Sequence, residues 1–356
     1  MKKAIIAMSG GVDSAVASLI LKQEGYDLTG VTMRLWADGE NIPDSFECAP
    51  DDNALQAKDV ANSLGFPHLT TALGASFKRE VIDRFISEYK NGRTPNPCVE
   101  CNRTLKFGAM FDIADKLGIP YLATGHYAKI EYASNGEYYL KKGDDPAKDQ
   151  SYFLWLIPKD KLPYILFPLG GYTKPEIREI AREHGLVSAS RSDSQDICFI
   201  PDGDYVSFIE KHSLADVGFE KGNFIDTNGN VLGDHNGIVR YTIGQRKGLG
   251  IALGRPIFVG AKSITDNTVL LCSDRELYSN KLKASRINIL VNDDLSTPTR
   301  VEAKIRYRHA PAAATVIRTD TDKLSLIFDE PQRAIAAGQS LVLYDGDTVI
   351  GGGIIE

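Results

Sequence analysis

Short apolar runs and longer amphipathic ones alternate along the first half of the chain. Lys3–Met8 (KAIIAM) is apolar without interruption, the pattern of a strand covered on both faces. Ser14–Lys22 (SAVASLILK) is apolar on nearly all sides, as a helix covering a sheet would be. Strand-like runs recur at Asp27–Trp36, His68–Leu73 and Tyr121–His126, and helix-like ones around Asn53–Leu64, Phe77–Tyr89 and Thr104–Leu117. This order predicts an α/β doubly wound parallel sheet. Ligand is then expected beyond the carboxyl ends of the strands, where Gly10, Met33 and Gly125 fall. Asn135-Gly136, between YAKIEY and EYYLKK, marks a hairpin. Thr173-x-x-Glu176 opens a helix with Pro175 in its first turn and Gly185 as its stop, and a helix near Tyr205–His212 closes the domain. From about Asp216 the runs become short and β-like, punctuated by Asn228-Gly229, Gly233, Gly248 and Gly250, and continue as VEAKIRY, ATVIRT, KLSLIFD and SLVLYD without a clear helix. Three domains are expected: an α/β domain over 1–212, a small β-rich domain over 213–276 and a C-terminal β-barrel over 277–356.

The turn between the first strand and the first helix reads Ser9-Gly10-Gly11-Val12-Asp13-Ser14. Gly10 and Gly11 let backbone N–H groups approach an anion, and the helix N-terminus adds partial positive charge, so phosphate is expected there. No Gly-Lys-Ser/Thr follows the glycines and the Gly-x-Gly-x-x-Gly spacing is absent, which excludes the commoner phosphate loops. Asp13 stands where such loops carry lysine. Beside phosphate it would repel unless a divalent cation intervened, which points to an Mg2+-nucleotide from which pyrophosphate is released. The loop resembles that of the PP-loop ATP pyrophosphatases, SGGxDS. The bland alternative is a Gly-Ser turn with a helix cap at Ser9 or Asp13.

A chain of 356 residues, 43% hydrophobic and 25% charged, has the composition of a multidomain globular protein. Its apolar runs are too short to span a bilayer, and the first strand begins after two lysines, so a cytoplasmic protein is expected. A net charge of −6 gives no global sign of nucleic acid, although a basic stripe such as Gln245-Arg246-Lys247 can sit on an acidic chain. Five cysteines do not suggest a disulfide framework. Cys98 and Cys101 follow two prolines at the mouth of a helix, where the terminal dipole favours thiolate, and Cys198 lies in a loop before Pro201. Cys48 and Cys272 read as a loop and a strand residue. As bare chemistry, Cys98, Cys101 and Cys198 leave a redox pair open, or zinc if His68 or His126 completes the set.

SGGVDS, TPNPxxxCNRxLKF, ATGHYA, KDQSYFL, SQDICFI, YTIGQRKGLGI and RYRHAP occur in this order over essentially the whole chain. Together they resemble the bacterial tRNA-specific 2-thiouridylases. The resemblance implies that ATP adenylates the 2-oxo group of the wobble uridine in tRNAs for lysine, glutamate and glutamine, and that sulfur replaces the activated oxygen. It places nucleotide at Ala7, Met8, Ser9, Gly10, Gly11, Val12, Asp13, Ser14, Met33 and Gly125. It gives Cys198 a persulfide supplied by a relay protein or cysteine desulfurase and makes Cys101 its thiol partner, with a Cys101–Cys198 disulfide left after transfer. It sets the target base at Asn96, Pro97 and Cys98, and further tRNA contacts at His126, Lys148, Asp149, Gln150, Arg306, Tyr307 and Gln339. Read from the residues alone, His126 is equally a satisfied loop histidine. Many family members carry aspartate where this chain has Cys98. A related group of PP-loop thiolases holds an iron–sulfur cluster on three cysteines, which leaves Cys98, Cys101 and Cys198 open as cluster ligands.

Overall fold

A computed structural model describes residues 2–37, 42–186, 197–213, 218–251 and 254–356. Its first part is built on β1 (Lys3–Ala7), α1 (Val12–Gln23), β2 (Asp27–Arg34), α2 (Asp52–Ser63) and β3 (His68–Ala72). α3 (Gly74–Phe77) runs through a π-helical stretch, Lys78–Ile82, into α4 (Asp83–Lys90). α5 (Pro97–Cys101), a second π-helical stretch (Asn102–Ala109) and α6 (Met110–Leu117) form one rod whose junction residues all keep helical backbone, and Gly118 ends it at φ 65°. With β4 (Tyr121–Ala123) and a later strand, Ile165–Leu166, the parallel sheet has five strands in the order β3, β2, β1, β4, Ile165–Leu166. Ala4, Ile5 and Ile6 are wholly buried, as the unbroken apolar run requires, because α1 and α2 cover one face and the α5–α6 rod the other.

The predicted hairpin forms as β5 (Ala128–Tyr132) and β6 (Tyr138–Lys142), with Gly136 at φ 85° in its turn. It does not extend the parallel sheet. Taking Ile165–Leu166 as β7, the helices that follow are α7 (Lys174–Glu183), opened by the Thr173/Glu176 capping box, and α8 (Tyr205–His212). A four-stranded sheet follows: β8 (Gly222–Ile225), β9 (Val231–His235), β10 (Phe258–Ser263) and β11 (Thr268–Cys272). Then β12 (Tyr278–Ile289), β13 (Thr299–Lys304), β14 (Ala312–Asp320), β15 (Lys323–Arg333), β16 (Ser340–Asp345) and β17 (Thr348–Ile355) form a six-stranded barrel, closed by β12 pairing with β17. β6 pairs with β17 through Lys141 and Thr348, so the hairpin extends the barrel sheet.

Two short 3-10 turns, Ile238–Arg240 and Asp274–Leu277, interrupt the region read as helix-free. Asp216, near which the sequence pattern changes, lies outside the described residues. The barrel and the α/β layers share one core. Trp155 and Tyr152, both fully buried, pack among Val99, Phe107 and Ile5 on one side and Val342, Tyr344 and Val349 on the other. Among the described residues no helix is long and apolar enough to cross a membrane.

Candidate functional site

The phosphate loop is open where an anion would bind. Gly11, in extended backbone, is the N-cap of α1, and no side chain caps the helix, which removes the bland reading of Ser9 or Asp13 as a cap. Gly10 takes φ 73°, a conformation that suits glycine. The Ser14 hydroxyl accepts from the Ser9 N–H at 3.3 Å and donates to the Gly11 carbonyl at 3.0 Å, which fixes the turn from inside. Gly125 packs against it: a β-carbon there would stand 3.0 Å from the Asp13 carbonyl carbon and 3.1 Å from the Ser14 nitrogen. Ala7, Met8 and Met33 lie at or near the carboxyl ends of β1 and β2, with Met33 packed against the cores on both sides of the site.

Asp13 is not left to repel phosphate alone. The Lys174 ammonium donates to both its carboxylate oxygens, at 2.8 and 2.9 Å, and the Tyr127 hydroxyl donates to one at 2.7 Å. The charge of Asp13 is thus answered within the protein by a lysine, while its side chain keeps 35% of its surface exposed. Neither residue was singled out in the sequence. The signal for Lys174 was its position, a lysine in the first turn of a helix, where the dipole disfavours a cation.

Cys98, Cys101 and Cys198 come together. Cys98 and Cys101 sit at the start of the rod, and Cys198 approaches from the loop before Pro201; Cys198 acts on both rod thiols, Cys98 also acts on Cys101, and all three feel the ammonium of Lys106. The preceding Ser194–Asp196 lie outside the described residues. Cys98 and Cys198 reach solvent and Cys101 is buried. The helix mouth was expected to lower the thiols, and here the opposite holds. Burial raises all three, Cys101 to about 12, and outweighs the lowering effect of Lys106; the backbone N–H groups of Cys198 and Phe199 also act on Cys198 without reversing the sign. Lys106 was quoted within a motif but given no role. Among the described residues no group of three His, Cys, Asp or Glu side chains could hold a metal ion, so neither the zinc nor the cluster geometry is formed by these cysteines.

One segment joins the two halves. Gly125 touches the phosphate loop, the Tyr127 hydroxyl holds Asp13, and between them His126 faces Lys106 across 3.5 Å. His126 is 7% exposed, with its ring against Phe107 and Phe167. Burial and Lys106 hold its pKa well below the usual histidine range. The ring is therefore neutral. Its Nε2 accepts from the ammonium, which assigns the proton to Nδ1 and the donor role toward the Thr124 hydroxyl at 2.7 Å. His126, expected on the RNA side, lies within hydrogen-bond distance of Lys106 and Thr124.

Other residues expected to meet RNA also make contacts within the chain. Asp149, buried, accepts from the Gly143 and Ser151 N–H groups and the Ser151 hydroxyl, and Gln150 accepts from the Tyr127 N–H at 3.0 Å. Arg306 donates to the carbonyls of Ile243 and Ala334, joining the central sheet to the barrel, and Tyr307 stacks near Phe153 with ring centroids 4.5 Å apart. The Gln339 amide donates to the Thr94 carbonyl at 2.8 Å, and the Thr94 N–H to the Ala337 carbonyl at 2.8 Å, so the barrel braces the corner Thr94–Pro97. Between the two cysteines of the rod, Glu100 is buried against Arg84, Arg103 and the barrel's Arg286, at 3.5, 3.2 and 2.9 Å. Asn96, Cys98 and Lys148 keep accessible surface. A cleft of about 410 Å³ between rod and barrel, lined by Arg103, Phe107, Phe111, Lys161 and Ile287, contains none of the expected residues.

Three family models match in sequence order: a tRNA methyl transferase HUP domain over residues 2–202, a tRNA methyl transferase PRC-barrel domain over 207–273 and an aminomethyltransferase beta-barrel domain over 279–355. The tRNA-specific 2-thiouridylase MnmA of Clostridioides difficile is 48% identical over 356 residues, covering 100% of this chain and 98% of that protein. The chain belongs to the tRNA-specific 2-thiouridylase family. Another member, from Acetivibrio thermocellus, is 46% identical over 358 residues, with 100% of this chain and 99% of that one covered. Among solved structures, a complex of a 4-thiouridine synthetase with RNA and bound ATP is 21% identical with a TM-score of 0.37, over 59% of this chain and 50% of that one. As a 2-thiouridylase-family member the chain keeps the PP-loop layer, the central sheet and the barrel in the order its sequence predicts.

Proposed function

We propose that this chain replaces the 2-oxygen of the wobble uridine in tRNAs for lysine, glutamate and glutamine with sulfur, at the expense of ATP. The observation that carries the reading is the segment Thr124–Tyr127, which links an uncapped phosphate loop to a thiol pocket through neighbouring residues. A urea-like carbonyl oxygen is a poor leaving group until AMP is attached, and that attachment needs a pyrophosphate cradle, for which the N–H groups at the start of α1 are suited. The uridine oxygen attacks the α-phosphorus, and the bond to the β-phosphate oxygen breaks with its electron pair on pyrophosphate.

The terminal sulfur of a Cys198 persulfide then attacks carbon 2, and AMP departs with the original oxygen. Cys101, as thiolate, attacks the Cys198 sulfur; the older S–S bond breaks toward the uridine, leaving a thiocarbonyl and a Cys101–Cys198 disulfide that an external dithiol reduces. Exposure suits Cys198 to receive sulfur from a relay protein or cysteine desulfurase, and burial suits Cys101 to act only on a sulfur brought to it. Lys106 is placed to offset charge at each thiolate stage. The base is taken out of its stack into the corner Asn96-Pro97-Cys98.

The test is direct. Purified protein, ATP, a persulfide donor, a dithiol and unmodified glutamate tRNA are incubated, and the digested RNA is analysed by mass spectrometry. Production of 2-thiouridine at the wobble position with stoichiometric pyrophosphate is expected. Pyrophosphate release without thiolated nucleoside under these conditions would overturn the reading.

A further inference from the structure

We propose that Lys174 is a nucleotide-binding residue: it cancels Asp13 so that an acidic loop accepts a triphosphate, and it donates to the β-phosphate side as pyrophosphate leaves. This deepens the nucleotide reading above and rests on it. The placement of Lys174 is costly. It occupies the first position of α7, where the positive end of the helix dipole opposes a cation, and its side chain is only 8% exposed, which opposes any charge. A residue held there against both effects needs a partner of opposite charge, and the partner is the one acid in the phosphate turn.

The arrangement also solves a problem that the loop poses alone. Asp13 lies in the first turn of α1, where a carboxylate suits the helix but not an arriving polyphosphate. Paired with Lys174 it presents no net charge, and its oxygens orient the ammonium beside the turn. When the α-phosphorus is attacked and its bond to the bridging oxygen breaks, the electron pair remains on the pyrophosphate. A preformed ammonium next to the loop stabilises that growing charge without reorganising. The pair is held at both ends by the loop Asp145–Gln150. The Lys174 N–H donates to the Asp145 carboxylate at 2.9 Å, and Gln150 accepts from the N–H of Tyr127, the other donor to Asp13.

Lys174→Met, Lys174→Arg and the double variant Asp13→Asn, Lys174→Met test this. Affinities for ATP, AMP and inorganic pyrophosphate are measured by equilibrium dialysis, tRNA affinity by filter binding, and tRNA-dependent pyrophosphate release in parallel. Losing the buried cation of a part-buried charge pair at a binding site predicts at least about 30-fold weaker ATP and pyrophosphate binding in Lys174→Met. AMP and tRNA affinities should stay within about threefold, and Lys174→Arg should recover part of the loss. The double variant, free of an unpaired carboxylate, should regain the fold and some ATP affinity but not the rate of pyrophosphate release. If Lys174→Met does not fold, the double variant decides. Wild-type ATP affinity and release rate in either methionine variant overturn the proposal, as does an equal loss of AMP and tRNA binding, which marks a structural residue. If the unaltered protein binds no ATP, the nucleotide reading fails and takes this inference with it.

Discussion

At the phosphate loop, a carboxylate and an ammonium meet at 2.8 Å, and each has its charge answered. At the start of the α5–α6 rod, three thiols share one ammonium and burial still raises all three, Cys101 to about 12. The loop is therefore finished before a ligand arrives, while the pocket is held back. The difference suits the order of the reaction. Nucleotide can bind a prepared cradle, but a thiolate exposed before RNA is seated would be lost to oxidants. Lys106 alone does not overcome burial; the charge balance must change when a substrate enters.

The sharpest way to break this division is to remove the sulfur carrier. Cys198→Ala is expected to abolish 2-thiouridine formation while pyrophosphate release continues, because adenylation uses the phosphate loop and needs no sulfur carrier. Parallel assays of labelled ATP and digested tRNA check it, and simultaneous loss of both activities would join what is separated here. Next in size is Lys106→Met. Removing the cation that all three thiols feel should slow sulfur transfer about 10- to 100-fold and leave adenylation within about threefold. Single-turnover thiolation from preadenylated tRNA reads the first, and pyrophosphate release the second.

Gly125→Ala probes the junction. The new β-carbon would stand 3.0 to 3.2 Å from Asp13 and Ser14 backbone atoms, which cannot turn aside as a side chain can. A cost of about 1–3 kcal/mol in stability, and about tenfold weaker ATP binding, should follow. Calorimetry and dialysis measure them. Unchanged ATP affinity would mean that Gly125 is packing only.

These effects also show where the sequence was readable. The uninterrupted run KAIIAM gave β1, the Ser9–Ser14 composition placed the turn, and Asn135-Gly136 placed a hairpin, because each is decided by neighbours in the chain. Lys174 and Asp13 are separated by 161 positions, and no periodicity relates them. The hairpin's own residues could not say that its edge would meet Thr348 of the barrel. The thiols were found by type, but their pKa direction was misjudged. A helix mouth lowers a thiol only if water or cations remain to support the charge, and the packing that removes them around Cys101 involves Phe199 and Phe85, remote from it in sequence.

A smaller effect comes from pH. His126 is buried neutral, and burial likewise lowers His68 to about 4, whereas both groups in the unfolded chain titrate near the ordinary value of about 6.5. Folded-state values below unfolded ones mean that the unfolded chain binds more protons in acid. The contribution is fully present above pH of about 6.5 and is lost as pH falls toward about 4. Thermal melts across that window should show the decline, and His126→Asn should flatten it. An unchanged slope would place the sensitivity elsewhere.

The smallest effect belongs to Gln339, and it separates frame from RNA contact. In the structure its amide donates to the Thr94 carbonyl, next to a buried Thr94 hydroxyl that has no partner among the described residues, at the corner leading to Pro97 and Cys98. If bracing is its whole part, Gln339→Ala loses one neutral hydrogen bond, about 1 kcal/mol, and shifts the KM for tRNA by a few-fold through a looser corner. Gln339→Glu distinguishes the two roles: a carboxylate cannot donate to the carbonyl, so the brace is lost as in alanine, and a negative charge against RNA adds a further, salt-dependent loss. Equal KM values for the two variants at low salt identify a brace. A steeper salt dependence for the glutamate variant identifies a residue that also meets the phosphate backbone, and extends the thiol half of the site onto the barrel.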